Sequence, residues 1–394
     1  MINFDFYVKT KLFFGKDKHL ETGKILKEFG ATRVLIIIGM NSVIKSGLLK
    51  CITDQLDEVG IDYHVLSGVR ANPTAALVRS FIDFAHTYQP DFLLPIGGGS
   101  VIDTAKLLSV GYYYDGDCFD FNLQKTKPTK ALPIGVVLTI AAAGSEMSVS
   151  CVVQDDDLHI KTGFVSELLR PTFAIENPEL TYSVSPAQTV NGIVDMMMHT
   201  LERYFQPSSE LEPADGFAES LLKSVMEAGT RVIKNPTDYE GRAVLMLMSS
   251  LSHNGLTNIG KPMFLLVHQL EHALSGVYPE VAHGAGLSVL FPAWADYYVY
   301  VDPDKFDKLA RNVFGLTNED KIENGKAGIK EIRKYFKSIG GPLTFKELGL
   351  EDVDIDKLID VLFSGGKESI PHYKKPITRE IARIIYESCK DETL

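Results

Sequence analysis

The order of the repeating segments constrains the fold more than any other feature of this chain. From Thr32 to about Asn177, short β-branched runs alternate with amphipathic stretches of helical period. This alternation is typical of a parallel sheet whose strands are joined by crossover helices. The clearest predicted strands are Val34–Ile38, Asp91–Ile96 and Pro133–Thr139. A helix is predicted at Ser42–Leu56, after the first of these strands. This part is predicted to be an α/β Rossmann-like nucleotide-binding domain.

The second half of the chain has a different pattern. After a turn-rich segment at residues 175–188, strand runs stop and long stretches of 3.6-residue period begin, the first near Ser185 with Pro186 in its first turn. With 394 residues the chain can bury two cores. We predict an α/β domain at 1–181 and an all-helical domain at 182–394, with the ligand site in a cleft between them.

Charge and cysteine usage exclude several classes of partner. A formal net charge of -11 gives no basic field for nucleic acid or an anionic membrane, and no apolar run approaches the roughly 20 residues of a membrane span. The N-terminus lacks the pattern of a signal peptide. The four cysteines form no CxxC pair, which favours a reducing compartment. A cytoplasmic protein is predicted.

A glycine-rich loop follows the predicted strand at 91–96. Gly97, Gly98, Gly99 and Ser100 lie between this strand and a helix, where main-chain N–H groups and a helix N-terminus can bind a pyrophosphate. A plain tight turn is the alternative, but the position at the end of a buried strand favours the phosphate loop. The loop is not a GxGxxG fingerprint. Thr139, in a second turn, offers a hydroxyl to the nucleotide.

An aspartate and several histidines have the spacing of a metal site. Asp195 and His199 have the spacing i, i+4, and His268 and His272 repeat it, so each pair projects from one face of a helix. His283 follows a Gly-Val-Tyr-Pro turn, which we expect to bring it back to the same site. One carboxylate with two or three imidazoles suits Zn²⁺ or Fe²⁺, although any one of these histidines alone is more often structural. A fifth histidine of this region, in the sequence SSLSHNG, has no partner and is interpreted as a bystander.

Taken together, GGGSVIDTAK, the Asp195–His199 pair and HQLEHALSGVYPEVAHG resemble the iron-containing alcohol dehydrogenase family, in its butanol dehydrogenase and broad aldehyde reductase branch. The resemblance extends from FYVKTKLFFGK through ANPT and LTIAAAGSE to the C-terminal helices. It implies a dehydroquinate synthase-like two-domain architecture. It also implies NAD(P)(H)-dependent hydride exchange with a short or medium aliphatic alcohol or aldehyde such as butanol or butanal. A homodimer is expected, and the aromatic, strand-like N-terminus is suited to pairing with a second copy.

The resemblance also assigns roles to residues. Its metal ligands match Asp195, His199, His268 and His283, with Fe²⁺ expected and Zn²⁺ an alternative, and its proton-relay histidine matches His272. The interval from His268 to His283 is one residue longer than in most members. Its cofactor groove matches Asn72, Gly97, Gly98, Gly99, Ser100, Thr139 and Lys161.

Many relatives have an aspartate after the first Rossmann-type strand, where it repels a 2′-phosphate. Here that stretch holds Gly39, Asn41, Ser42 and Lys45 and no acid. Asn41 and Ser42 can donate hydrogen bonds to a 2′-phosphate, and Lys45 adds a positive charge. We therefore predict a preference for NADP(H) over NAD(H). The alternative is that Lys45 is a solvated helix residue and either cofactor binds.

Two rival functions share parts of these motifs. A dehydroquinate synthase-like lyase needs several Lys and Arg residues to bind a phosphorylated, carboxylated substrate, whereas the region around the motifs is rich in Met, Leu, Val and Tyr. An apolar, uncharged substrate fits these residues better. A non-catalytic nucleotide-binding oligomer is the other rival, and it has no need of a metal site with an open position.

Overall fold

A computed structural model describes residues 2–207 and 212–390. The predicted domain ranges also include Met1, 208–211 and 391–394, which lie outside the described residues. The described chain divides into two compact units: the α/β unit, Tyr7–Val184, and the helical unit, residues 2–6 and 185–390. The predicted fold class, a parallel α/β domain followed by an all-helical domain, is confirmed.

The α/β unit contains eight strands in its described residues. They are β1 (Lys11–Phe14), β2 (Arg33–Ile38), β3 (Asp62–Leu66), β4 (Phe92–Gly97), β5 (Gly135–Leu138), β6 (Ser150–Asp155), β7 (Ile160–Val165) and β8 (Phe173–Glu176). Six strands form a parallel sheet in the order β1-β8-β5-β4-β2-β3, and β6 pairs with β7 as an antiparallel hairpin. Every residue of β4 and β5 is buried, as expected when helices cover both faces of a sheet.

The direction of the strand order reverses at β2. The next strand in sequence, β3, pairs on one side of β2, and β4 pairs on the other. Open α/β sheets bind ligands beyond the carboxyl ends of the strands at such a reversal. Gly39 follows β2 and Gly97 ends β4, so the predicted nucleotide loop lies at this point of the sheet.

Five α-helices belong to the α/β unit: α1 (Thr22–Glu28), α2 (Ser42–Lys45), α3 (Leu48–Val59), α4 (Ala75–Tyr88) and α5 (Gly99–Gly111). The predicted continuous helix Ser42–Leu56 is wrong, because the chain turns at Gly47 and forms α2 and α3 instead. Gly47 has a φ of 78°, a left-handed conformation that interrupts a right-handed helix. Ile52 and Leu56 of α3 are fully buried and pack with Ile36 of β2.

The helical unit contains α6 (Pro186–Tyr204), α7 (Pro213–Lys234), α8 (Tyr239–His253), α9 (Leu266–Val277), α10 (His283–Tyr298), α11 (Pro303–Phe314), α12 (Lys321–Ser338), α13 (Ile355–Leu362) and α14 (Arg379–Ser388). Ser185 caps α6 by accepting a hydrogen bond from the Gln188 N–H, and Pro186 occupies the first turn as predicted. Helix α6 packs against α7, α8 and α10. Among the residues described, no helix has both the length and the apolar character needed to cross a membrane.

Candidate metal centre and nucleotide loop

Three helices of the helical unit carry the candidate metal ligands. Helix α6 presents Asp195, His199 and Glu202, at intervals of four and three residues, so that the three side chains share one face. All three are buried. Helix α9 carries His268, and α10 begins at His283. The two helices that carry these histidines are joined by a connection at residues 278–282.

The ligand atoms converge on one oxygen. From Asp195 Oδ1, the distance is 3.3 Å to His199 Nε2, 3.8 Å to His268 Nε2 and 3.8 Å to His283 Nε2. Ligands bound to zinc at about 2.1 Å with tetrahedral angles lie roughly 3.4 Å from one another. Ligand atoms of Asp195, His199 and His268 all lie within 4.8 Å of one another. The arrangement therefore fits a divalent cation.

Two of these atoms lack the partners that buried polar atoms normally have. Asp195 Oδ1 and His268 Nε2 are buried and have no hydrogen-bond partner among the described residues. Leaving a buried polar group without a hydrogen bond costs about 1–3 kcal/mol. A cation bound by both atoms would remove that cost, so the donor set fits a metal ion.

Two buried glutamates, neither of them predicted from the sequence, support the histidines. His268 Nδ1 donates a hydrogen bond to Glu202, which also accepts from the main-chain N–H of Val267 at 2.6 Å and of His268 at 3.2 Å. His283 Nδ1 donates to Glu271, whose other oxygen accepts from the Ser275 hydroxyl. A carboxylate on Nδ1 fixes the ring orientation and leaves the Nε2 lone pair for a metal.

The electrostatics of the centre favour a cation. Burial opposes a charge on His268, but Glu202 and Asp195 outweigh burial and raise the pKa of His268 to about 9. Burial, reinforced by His253 and His268, lowers the pKa of His199 well below its usual value. His199 is thus neutral, as a metal ligand must be, while the carboxylates hold a proton on His268 that a bound cation would replace.

Two further histidines lie beside this set. The His272 ring centroid is 5.7 Å from that of His283, and both side chains are half-buried. The prediction that His253 has no partner is wrong, because its ring lies 4.0 Å from that of His199 and its Nδ1 is 3.2 Å from His199 Nε2. Glu271, His272 and His283 form a second group with ligand spacing, but Glu271 already accepts from His283 and Ser275.

The predicted nucleotide loop of the α/β unit requires glycine at two positions. A Cβ on Gly97 would lie 2.6 Å from the Val101 side chain, and a Cβ on Gly98 would collide with Ile140. Gly98 is the N-cap of α5, and Gly99 and Ser100 form its first turn. The Thr139 N–H donates to the Gly97 carbonyl at 3.1 Å, which brings the two predicted turns together.

The other predicted cofactor residues occupy two further places in the α/β unit. Asn41, Ser42 and Lys45 are exposed at α2, which follows Gly39. Asn72 has a left-handed φ of 53°, and the next residue accepts a hydrogen bond from the Gln154 N–H. Gln154 is paired across the β6–β7 hairpin with Lys161, a buried lysine, so the segment around Asn72 adjoins the hairpin near Lys161.

Comparison with known proteins identifies one family over both halves of the chain. The family described as "Iron-containing alcohol dehydrogenase" matches residues 9–178. The family described as "Fe-containing alcohol dehydrogenase family, C-terminal" matches residues 189–389. The second match alone spans half of the chain and includes all the histidines of the candidate metal centre.

Individual relatives agree with this result. The chain is 38% identical to NADH-dependent butanol dehydrogenase A of Clostridium acetobutylicum over 89% of this chain and 90% of the relative. It is 30% identical to the NADPH-dependent aldehyde reductase YqhD of Escherichia coli over 99% of this chain and all of the relative. The crystal structure of NADH-dependent butanol dehydrogenase A from Thermotoga maritima superposes with a TM-score of 0.95 at 34% identity, covering 99% of each chain.

Proposed function

This chain belongs to the iron-containing alcohol dehydrogenase family, and we propose that it transfers hydride between a nicotinamide cofactor and a short or medium aliphatic aldehyde or alcohol. The relatives named above, a butanol dehydrogenase and an aldehyde reductase, support a butanol- or butanal-like substrate. They favour a dehydrogenase over a dehydroquinate synthase-like lyase and over a non-catalytic nucleotide-binding oligomer.

The observation that carries the proposal is the convergence of the histidine nitrogens of His199, His268 and His283 on Asp195 Oδ1. Two of these ligand atoms, Asp195 Oδ1 and His268 Nε2, are buried and have no hydrogen-bond partner among the described residues. We assign these four side chains as ligands of a divalent metal, Fe²⁺ or Zn²⁺. When bound, the metal would act as a Lewis acid on the substrate oxygen while the nicotinamide exchanges hydride.

The protein's own side chains position these groups and handle the proton. Glu202 and Glu271 keep the protons of His268 and His283 on Nδ1, so that each Nε2 faces the metal. His272, half-buried beside His283, is proposed to exchange the proton of the substrate hydroxyl with solvent. In the α/β unit, Gly97, Gly98, Gly99, Ser100 and Thr139 are proposed to hold the pyrophosphate, with Lys161 and Asn72 nearer the nicotinamide ribose.

For the cofactor we propose a preference for NADP(H) over NAD(H). Gly39, Asn41 and Ser42 replace an acidic residue after β2, and Lys45 is exposed one helical turn further on. The named relatives include both an NADH-dependent and an NADPH-dependent enzyme, so the residues of this chain carry the argument. Michaelis constants for NADPH and NADH test it, and a clear preference for NADH would contradict it.

We also propose that the enzyme is a homodimer of the cytoplasm. Ile2, Phe4, Phe6 and Tyr7 are exposed apolar side chains that precede β1, an edge strand of the sheet, in the sequence. The four cysteines are free thiols, which supports a reducing compartment. Light scattering at two protein concentrations tests the assembly, and a monomer at both would exclude the dimer.

The reaction itself is tested by oxidation of NADPH or NADH with butanal. We expect activity that is lost after treatment with a chelator and restored by Fe²⁺ or Zn²⁺. A chelated protein that still oxidises the cofactor at the full rate would contradict the metal-dependent mechanism. Binding of nucleotide without any turnover over a panel of aldehydes and alcohols would support the non-catalytic rival instead.

A further inference from the structure

A fifth histidine adjoins the candidate metal centre. His253, the last residue of α8, has its Nδ1 3.2 Å from His199 Nε2, and the two ring planes are inclined by 50°. The same His199 nitrogen lies 3.3 Å from Asp195 Oδ1. His199 Nε2, which we assign as a metal ligand, therefore lies as close to the imidazole nitrogen of His253 as to the carboxylate oxygen of Asp195.

A bound metal ion would prevent this contact between the two nitrogens from being a hydrogen bond. Without a cation, one of the two nitrogens can donate a proton to the lone pair of the other. Once a cation occupies the lone pair of His199 Nε2, that nitrogen can accept no hydrogen bond. An N–H on His253 Nδ1 would then point towards the positive charge of the metal. The favourable arrangement places the His253 proton on Nε2 and directs the lone pair of Nδ1 towards the metal.

The distance is compatible with two ligands of one ion. Nitrogen donors about 2.1 Å from a metal lie roughly 3.0–3.4 Å apart when the angle between them is between a right angle and the tetrahedral value. The separation of 3.2 Å falls in this range. His253 is half-buried, whereas Asp195, His199 and His268 are buried.

We propose that His253 is a fifth ligand of the metal, an inference that rests on the metal site proposed above. Four imidazoles and one carboxylate then leave one position of a six-coordinate ion for the substrate oxygen. Catalytic zinc sites usually have three protein ligands, so a five-ligand set is better matched to Fe²⁺ or Co²⁺ than to Zn²⁺.

The direct test is to place a spectroscopically visible ligand at this position. In His253→Cys, the shorter side chain is partly offset by the longer metal–sulfur bond, about 2.3 Å against about 2.1 Å for nitrogen. When the metal-free protein is loaded with Co²⁺, we expect a thiolate-to-cobalt charge-transfer band in the near ultraviolet. The band should be absent from the wild type. It should also be absent from the matched control His372→Cys, because His372 is a half-buried histidine of the same unit that packs on Tyr298 and Tyr373.

A second variant measures the contribution of the imidazole. His253→Leu is expected to weaken Co²⁺ binding at least roughly tenfold and to increase the intensity of the visible cobalt bands, because coordination number falls. Circular dichroism checks that each variant is folded. The proposal is overturned if His253→Cys shows no charge-transfer band and His253→Leu binds Co²⁺ with wild-type affinity and spectrum.

The cobalt spectrum of Asp195→Asn distinguishes an error in the proposed metal site from an error in the fifth ligand. If the wild type binds Co²⁺ with a spectrum that Asp195→Asn leaves unchanged, the ion is not at Asp195, and both the proposed site and the fifth ligand are wrong. If Asp195→Asn abolishes the cobalt spectrum while the His253 variants behave like the wild type, only the fifth ligand is wrong.

Discussion

The helical unit contains two buried clusters of charged and polar side chains, each built around an aspartate on a long helix. The two clusters differ in the partners that the protein provides for the aspartate. Asp195 of α6 faces the imidazoles of the metal centre, and its Oδ1 has no hydrogen-bond partner among the described residues. Asp215 of α7 is paired with Lys261, Lys305 and Lys308. Both of its oxygens accept hydrogen bonds from lysine ammonium groups.

Burial and charge therefore do not by themselves indicate a ligand site. Burial opposes ionisation of Asp215, but Lys305 and Lys261 outweigh it and lower the pKa of Asp215. The lysines of the protein therefore balance the charge of Asp215 without an external ion. At Asp195, two buried ligand atoms, Asp195 Oδ1 and His268 Nε2, have no hydrogen-bond partner among the described residues, as expected where an external cation binds.

The largest expected effect comes from Asp195→Asn. The loss of one anionic ligand should reduce bound metal to well below one ion per chain. Aldehyde reduction should fall at least about 1,000-fold, because a Lewis acid supplies several kcal/mol of transition-state stabilisation. Metal analysis and steady-state kinetics measure both. The free energy of unfolding without metal should change little, and full activity in this variant would remove the contrast between the clusters.

The equivalent change in the other cluster should affect stability. Asp215→Asn leaves three buried or half-buried lysines without their carboxylate, and breaking a buried ion pair costs about 3–5 kcal/mol. Chemical denaturation of the metal-free protein measures the loss. Metal content of the folded fraction should stay at the wild-type level. A variant with unaltered stability but lost metal would show that the two clusters are not independent.

The pH dependence of unfolding sharpens the same contrast. Burial, with the charge of Lys261, lowers the pKa of Lys305 to about 8 from a usual value of 10.5, although Asp215 opposes the shift. Between these two values the unfolded chain binds more protons, so the contribution of Lys305 to stability rises with pH, by up to about 3 kcal/mol. Lys305→Met should lack this part of the rise. Identical pH profiles for the two proteins would contradict the assignment.

The smallest effect is expected from the glutamate that supports His268. Glu202→Gln keeps the shape of the side chain but removes the charge, so we expect roughly 10–100-fold weaker metal binding in a folded protein. Glu219→Gln is the matched control, because Glu219 accepts from the Tyr204 hydroxyl and contacts no proposed ligand. Equal metal affinity in the two variants would show that Glu202 only caps α9.

The sequence predicted those parts of the molecule that follow from local patterns. The strands β2, β4 and β5 and the glycine loop after β4 were predicted from β-branched runs and glycines, and Asp195 and His199 were selected by their helical spacing. Gly47, which divides α2 from α3, was overlooked because a single glycine within an amphipathic pattern does not require a break. The strand order and the β6–β7 hairpin depend on contacts between distant segments, which no local pattern records.

The same limit applies to the metal centre. Glu202 lies seven residues after Asp195 and Glu271 three after His268, so both share a helix face with a ligand, a signal that could have been used. Their roles depend on partners from other helices, His268 for Glu202 and His283 for Glu271. His253 was dismissed because its sequence neighbours offer no second ligand. Its partner, His199, is 54 residues away.

The position of a bound metal ion tests most directly whether a cation binds at the Asp195 cluster. Crystals of the protein soaked in Fe²⁺ or Zn²⁺ can be measured at the absorption edge of the metal, and the anomalous difference map locates the ion directly. We expect one peak per chain about 2.0–2.2 Å from Asp195 Oδ1 and from Nε2 of His199, His268 and His283. A peak held by Glu271 and His272 without Asp195, or no peak in the helical unit, would contradict it.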